Sequence, residues 1–452
     1  MDELTVCKGC FAEWSDLNFQ CVWCGWCPDT GEDTGDSTSG WRLGKILEKR
    51  YLLGKIYVRT EDGYTVWRAY DRDLDIKCFL LIAVDENIRW LSKIAWGFSG
   101  QPECGIKVLG LRQIGGKYVL VFSMKDPYLP VKDFREKVCP AETPGELVDS
   151  VSYGLRTEHE KNLLPADTLL GGRYRIMGCI GMGGFGIVYL CEDILLQRNV
   201  AVKEYFPENW AEREDIYVTV RASGMLDAYR YGLHSFWKEA KLTAKFIHHR
   251  HIVTVYDVFR ENDTAYLVME YLSGSSIGKE FRKKKYDPYT PHEMAQILDP
   301  LLEALEGIHK QKIIHRDLSP GNMIRVKDRG IVLIDFGAAA GAAFLKTAYA
   351  APEQYRAAKG IEEDEGAWTD LYAAGAMMYY FLTGHKPPDA LSRSSKGAKD
   401  LEAPKKYDIR LRKGWMKLIH RLMELDHTKR MSSCHAVREE IKRLLAHEKE
   451  GR

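Results

Sequence analysis

Eight short motifs follow one another in fixed order between Gly181 and Arg430, and their spacing leaves the C-terminal part of the chain very few possible folds. They are Gly181-Met-Gly-Gly-Phe-Gly186, Val200-Ala-Val-Lys203, Glu239, His315-Arg-Asp317 with Asn322, Asp335-Phe-Gly337, Ala351-Pro-Glu353, Asp370 and Arg430. Taken singly, each is a common turn, strand end or surface charge. Taken together they share one chemistry. Glycines let backbone N–H groups approach phosphate oxygens with no side chain between. A lysine ending a strand can reach the same oxygens, and carboxylate and amide oxygens are the hard ligands that Mg²⁺ takes.

The pattern around these motifs changes midway. Residues 174–180, 185–192, 199–202, 252–260 and 264–270 read as strands, and from Pro291 onward the periodicity is helical, as in residues 294–309. The glycine run lies between two predicted strands, whereas a dinucleotide-binding loop would open a helix. Lys203 follows Gly186 by 17 residues. It needs a carboxylate to hold it, and Glu239, in the helical stretch 236–246, fits better than Glu212 or Glu214 in less regular sequence.

The series resembles the protein kinases over roughly residues 170–446. The resemblance implies an α+β, two-lobed protein kinase fold, with a β-rich small lobe, a helical large lobe, and ATP and Mg²⁺ as cofactors. It assigns Gly181, Gly183, Gly184 and Gly186 to the phosphates, Lys203 with Glu239 to the α and β phosphates, Asp317 to the acceptor hydroxyl proton, and Asn322 and Asp335 to Mg²⁺. Met269 would be the gatekeeper, Glu270 and Leu272 would offer backbone groups to adenine, and Ile180, Val188, Ala201 and Ile324 would sandwich the base. Glu353 and Arg430 look like the family's buried ion pair, and Asp370 would hold the backbone of the His-Arg-Asp loop.

Two departures stand in that loop. Ser319 occupies the place where Ser/Thr kinases usually carry lysine, which removes one contact to the transferred group, and Gly321 replaces a more usual polar residue. The Lys-Glu-Tyr-Phe-Pro207 form looks like a group of bacterial Ser/Thr kinases, so serine or threonine acceptors are expected, with tyrosine left open. The 36 residues from Lys203 to Glu239 contain an insertion, 204–235, that either steers the helix of Glu239 or is passive. Between Asp335 and Glu353 the only hydroxyl of Ser/Thr type is Thr347. A phosphate-ordered loop is therefore not expected. The competing readings are a pseudokinase scaffold and a small-molecule kinase; the second fits poorly because such enzymes usually carry His-Gly-Asp and lack Ala-Pro-Glu.

The N-terminal part reads differently. Of eleven cysteines, five fall within residues 1–27, and Cys7-x-x-Cys10 with Cys21-x-x-Cys24 has the spacing of a zinc ribbon, leaving Cys27 surplus. Four thiolates leave no open position, so structural Zn²⁺ is expected. Residues 28–40 and 139–165 read as linkers, and 167–446 as the kinase domain.

Residues 41–138 form a further β-rich domain in which 46–138 look like a degraded, pseudokinase-like copy of the small lobe. Arg50-Tyr51 matches Arg173-Tyr174, Val66-Trp67 matches Val188-Tyr189, Asp71 and Leu74 match Asp193 and Leu196, and 120–122 match 267–269. Leu81 stands where Lys203 stands, and Asp62 opposes phosphate. Such a lobe has an apolar face to cover, and the kinase domain is the expected cover. A net charge of +1 and the lack of an apolar run of 18 residues give no reason to expect nucleic acid or membrane as partners. The expected setting is cytoplasmic, with a protein substrate and a further protein partner for the ribbon and residues 41–138.

Overall fold

In the computed structural model, residues 41–59, 64–83, 88–99, 105–114, 116–126, 162–184, 186–335, 346–357, 364–394 and 400–450 are described. The cysteine module, the stretches 28–40 and 127–161, Asp62, Phe336 and Gly337 lie outside them. The chain divides into two units, the first ending at Leu233 and resuming over Thr254–Tyr271, the second formed by His234–Val253 and the residues from Leu272 onward.

Two antiparallel six-stranded sheets make up most of the first unit. One contains β1 (Ile46–Leu47), β2 (Tyr51–Arg59), β3 (Tyr64–Asp71), β4 (Ile76–Ala83), β5 (Ile106–Ile114) and β6 (Lys117–Met124), in the order β1-β2-β3-β4-β6-β5, with helix α1 (Ile88–Ser99) between β4 and β5. The second contains β7 (Leu169–Leu170), β8 (Tyr174–Gly183), β9 (Gly186–Asp193) and β10 (Arg198–Tyr205). A hairpin, β11 (Ala211–Glu214) and β12 (Tyr217–Val220), and helix α2 (Leu226–Ala244) follow before β13 (Val255–Glu261) and β14 (Thr264–Glu270). Its order, β7-β8-β9-β10-β14-β13, repeats that of the first sheet strand for strand.

The registers agree as well. Leu81 lies between Val66 and Leu120, and Lys203 lies between Val188 and Leu267. Each sheet also carries one buried arginine–aspartate fork near its start. Arg50 reaches Asp71 through Nε and Nη2 at 2.9 and 2.8 Å, and Arg173 reaches Asp193 in the same way at 2.7 and 2.5 Å.

One face of the first sheet is covered by the sheet's own helix: Leu91, Ile94, Ala95 and Phe98 of α1 pack with Phe79, Leu120 and Phe122, and Phe98 meets Phe122 at 5.7 Å between ring centroids. The second sheet contributes Leu196, with Leu195 beside it, from the β9–β10 turn.

The two sheets meet along their edge strands β5 and β13, so neither edge is left as a template for pairing. At the junction Asp257 accepts from Arg50 Nη1 at 2.7 Å and from Tyr174 OH at 3.1 Å, and pairs with Arg112 Nη2 at 2.6 Å. Gly110 holds in the first sheet the register place that Asp257 holds in the second, since Gly110 faces Val121 as Asp257 faces Val268. Arg173 lies over Gly110, where a Cβ would collide with its guanidinium. The arginines of the two forks therefore cross the junction reciprocally. Lys107 Nζ donates to Thr254 Oγ1 at 2.9 Å, and Arg198 donates to the carbonyls of Val108 and Leu109 at 3.3 and 3.2 Å. Burial alone would raise the Asp257 pKa, but the charges and hydrogen bonds of Arg112 and Arg50 hold it well below the usual carboxylate range.

Asn162 and Leu164, within the stretch expected as a linker, make contacts with the second sheet and its inserted hairpin. Leu164 is buried and its N–H donates to Tyr189 OH at 3.1 Å, while Asn162 O accepts from Arg213 at 2.8 Å.

The second unit is mainly helical. Its elements are β15 (Gly274–Ser276), α3 (Ile277–Lys283), α4 (Pro291–Lys310), β16 (Met323–Val326), β17 (Gly330–Leu333), α5 (Pro352–Ala357), α6 (Ala367–Thr383), α7 (Ala390–Ser394), α8 (Lys413–Leu422) and α9 (Cys434–Glu450). Helix α4 starts at Pro291, where the helical pattern begins, because Thr290 and Glu293 form a capping box. Residues 369–383 of α6 are buried on every side, as an all-round apolar helix should be. Helix α6 ends at Gly384, whose φ of 74° is the left-handed cap that glycine adopts freely. Among the described residues, no helix is long and apolar enough to cross a membrane.

Candidate active site

The loop from His315 to Asn322 follows α4 and is fixed from beneath by Asp370, in the first turn of α6. The Asp370 carboxylate accepts the backbone N–H of His315 and of Arg316, both at 2.9 Å, and stands 2.7 Å from Nε2 of His309. Burial works to raise its pKa, but the hydrogen bond and charge of His309 and the donors of the loop bring it below the ordinary value. Burial pushes the His315 imidazole down.

Above this support, Asn322 Nδ2 donates to the Asp317 carbonyl at 2.8 Å and to Asp317 Oδ2 at 2.9 Å. That use of the amide nitrogen turns its oxygen away from Asp317. The Ile334 N–H donates to Asn322 O at 2.9 Å, so Asp335, the next residue, is tied to the same loop. Asp335 has a φ of 57°, the left-handed region that non-glycine residues occupy at some cost and often at functional sites. Asn322 and Asp335 stand at the two ends of the β16–β17 hairpin, and an amide oxygen and a carboxylate are the hard oxygen donors that suit Mg²⁺.

Further out, Glu353 and Arg430 form a fully buried pair at 2.7 Å, with Thr369 Oγ1 donating to the same carboxylate oxygen at 2.9 Å. Arg316 Nε pairs with Glu365 at 2.7 Å.

In the first unit, β8 and β9 form a hairpin that closes at Gly183 and Gly186, with Gly184 in the turn and Gly181 facing Val188. A Cβ on Gly186 would stand 2.5 Å from the Glu204 carbonyl oxygen, so no larger residue fits without backbone movement. Buried Ala201 lies between Leu190 and Met269, and half-buried Ile180 is on β8. The Glu270 N–H donates to Thr254 O at 2.8 Å. The chain passes from the first unit to the second between Tyr271 and Leu272. In the second unit, Ile324 faces Val332 across β16 and β17. Glu239 is buried on α2, whereas its rivals Glu212 and Glu214 are exposed on β11.

Two residues were missed in the sequence. Glu204 is fully buried and accepts from Arg213 at 2.5 Å, Tyr189 at 3.1 Å and Tyr266 at 2.9 Å. Burial raises its pKa, with Arg213 offsetting part of that effect. It anchors the inserted hairpin β11–β12 through Arg213. The signal was strand alternation, which puts Glu204 on the face opposite Lys203. The other is Lys346, whose Nζ lies 2.8 Å from Asp317 Oδ2 and 3.0 Å from Ser319 Oγ.

Residues 174–441, more than half of the chain, match the protein kinase domain. The chain belongs to the protein kinase family. It is similar to serine/threonine-protein kinase PrkC of Bacillus subtilis, with 31% identity over 248 residues, 52% of this chain and 34% of that one. It is also similar to serine/threonine-protein kinase B of Synechocystis, with 29% identity over 288 residues, 59% of this chain and 46% of that one. The chain thus spans between a third and a half of the length of these relatives.

Among solved structures, PpkA-294 in its apo form is 29% identical with a TM-score of 0.53, over 63% of this chain and 99% of that one. The kinase domain of PknI from Mycobacterium tuberculosis, 21% identical with a TM-score of 0.50 over 63% of this chain and all of that one, shares the fold. The second sheet is the β-rich lobe of the kinase domain and the helical unit belongs to its large lobe. The first sheet lies outside the matched residues.

Proposed function

We propose that this kinase uses ATP and Mg²⁺ to phosphorylate serine or threonine hydroxyls of a protein substrate. The observation that carries the reading is the Asp317 carboxylate, held by Asn322 on a loop whose backbone N–H groups are anchored on buried Asp370. In the proposed mechanism Asp317 orients the acceptor hydroxyl and takes its proton. The ammonium of Lys203, oriented by Glu239, binds the α and β phosphates, and the backbone of Gly181, Gly183, Gly184 and Gly186 cradles them. Ile180, Val188, Ala201, Met269 and Ile324 enclose the base, with Glu270 and Leu272 at its polar edge. Asn322 and Asp335 would hold Mg²⁺, which supplies charge neutralisation at the phosphates.

Nothing in this residue set favours a pseudokinase scaffold. Labelled ATP offered with protein and with small-molecule acceptors tests the reading. Label on protein serine or threonine is expected, and label confined to a small molecule would sink it.

Arg316 already has a carboxylate partner in Glu365, where a loop phosphate would otherwise be needed. The kinase is therefore proposed to work without phosphorylation of its activation segment. Thr347→Ala is expected to keep activity within about twofold of wild type, an effect of under ~0.5 kcal/mol. Complete loss, restored by Thr347→Glu, would contradict this.

For the first sheet we propose a degenerate small lobe that no longer binds nucleotide and regulates the kinase domain. Its support is the repeated strand order, the paired Arg–Asp forks and Leu81 in the register place of Lys203. The route is β13, where Asp257 faces Val268, the residue before Met269.

For residues 1–27 we propose a zinc ribbon on Cys7, Cys10, Cys21 and Cys24 that engages a protein partner; its support is the ligand spacing. Elemental analysis of the full chain is expected to give one zinc, lost in a Cys7→Ser/Cys10→Ser variant and kept in Cys27→Ser. Zinc retained by the double variant would refute the assignment.

A further inference from the structure

We propose that Lys346 is a catalytic residue, the cation that steadies the transferred phosphoryl group beside Asp317 and so replaces the charge that Ser319 lacks. The inference rests on the kinase reading above and adds a residue to it. Ser319 is buried two residues beyond Asp317, and an uncharged hydroxyl there supplies no cation to the base and the migrating phosphoryl group. The Lys346 ammonium reaches that place from a different segment. It touches both the carboxylate of Asp317, at 2.8 Å, and the hydroxyl of Ser319, at 3.0 Å.

The backbone fixes where the side chain starts. The Lys346 carbonyl accepts the N–H groups of Tyr349 and Ala350 at 2.8 and 3.1 Å, which makes a tight turn. That turn leads into Ala351 and Gln354, and Gln354 Nε2 donates to the Arg316 carbonyl at 2.8 Å. The lysine and the loop it reaches are therefore tied together at the side chain and at the backbone.

The chemistry suits the position. The acceptor hydroxyl oxygen forms the new bond to the γ-phosphorus, and the bond from that phosphorus to its bridging oxygen breaks, with the electron pair leaving on ADP. The hydroxyl proton passes to Asp317. Charge in the transition state is spread over the phosphoryl oxygens, which at that moment lie next to the acceptor oxygen and hence next to Asp317. An ammonium has three donors. With Asp317 and Ser319 taking two, the third can meet a phosphoryl oxygen. A cation preorganised there lowers the barrier.

Steady-state kinetics of the full chain, with ATP and a protein acceptor, test the assignment on Lys346→Ala, Lys346→Met, and Lys346→Ala combined with Ser319→Lys. For Lys346→Ala, kcat is expected to fall by about 100-fold with KM for ATP within about threefold. That split marks an interaction made in the transition state rather than in the bound substrate. Ser319→Lys, which returns the cation from the loop itself, should recover at least about tenfold of the loss.

Should Lys346→Ala not fold, Lys346→Met keeps the aliphatic stem and is read in its place. A kcat within about threefold of wild type overturns the proposal. So does a rise in kcat, which would make the contact a brake on Asp317, and so does a folded double variant with no recovery. An inactive wild-type chain would instead count against the kinase reading itself.

Discussion

Asp317→Asn is expected to lower kcat by about 10²- to 10⁴-fold, the usual range for removing a general base. The substitution keeps the shape and the contacts to Asn322 and Lys346 but cannot take the proton. Asp317 is partly exposed, and its loop hangs on Asp370 rather than on its own side chain, so the fold should be unchanged. The measurement is single-turnover transfer on protein free of contaminating kinases, with thermal unfolding alongside. Lys203→Met and Asp335→Ala should likewise abolish transfer. A folded Asp317→Asn chain with the wild-type rate would contradict the mechanism.

The second large effect is expected at the junction of the two sheets. Asp257 is buried and serves Arg50, Arg112 and Tyr174 together. Asp257→Ala takes from half-buried Arg112 the carboxylate it pairs with at 2.6 Å, and leaves buried Arg50 with Asp71 and the more distant Asp73. Breaking a buried pair in this way costs about 3–5 kcal/mol. That corresponds to a fall in Tm of roughly 6–20 °C for a unit of this size. Unfolding of the full chain followed calorimetrically gives the answer, and a Tm within about 2 °C of wild type would mean that the junction adds little. A lowered Tm with a reduced kcat, measured well below the transition, would tie the first sheet to the activity.

The kinase domain was legible because its constraints are local or evenly spaced. Strands 264–270 and 174–180 announce themselves by their apolar residues, α4 by helical periodicity, α6 by an unbroken apolar run, and the motif residues by fixed separations. The ion pair of Glu353 with Arg430 and the grip of Asp370 on the loop were readable for the same reason. The likeness of Arg50-Tyr51 to Arg173-Tyr174 was visible too, and both arginines make the same fork.

What escaped was whatever depends on docking or on a long side chain. That Arg50 ends on Asp257, 207 residues away, follows only when β5 lies along β13. The cover supplied by α1 is not among the sequence expectations, which give residues 41–138 as β-rich and assign no helix to Ile88–Ser99. Lys346 sits among alanines with no periodicity or motif to mark it, and its role emerges only where it reaches Asp317, 29 residues earlier in the chain.

The most direct measurement is phosphoamino-acid analysis of a protein acceptor after reaction of the full chain with γ-labelled ATP, with and without Mg²⁺, beside the Asp317→Asn variant. Mg²⁺-dependent phosphoserine or phosphothreonine with wild type, and none above background with the variant, is the predicted result. Phosphotyrosine alone would contradict the acceptor assignment, and equal labelling by the two proteins would contradict the site.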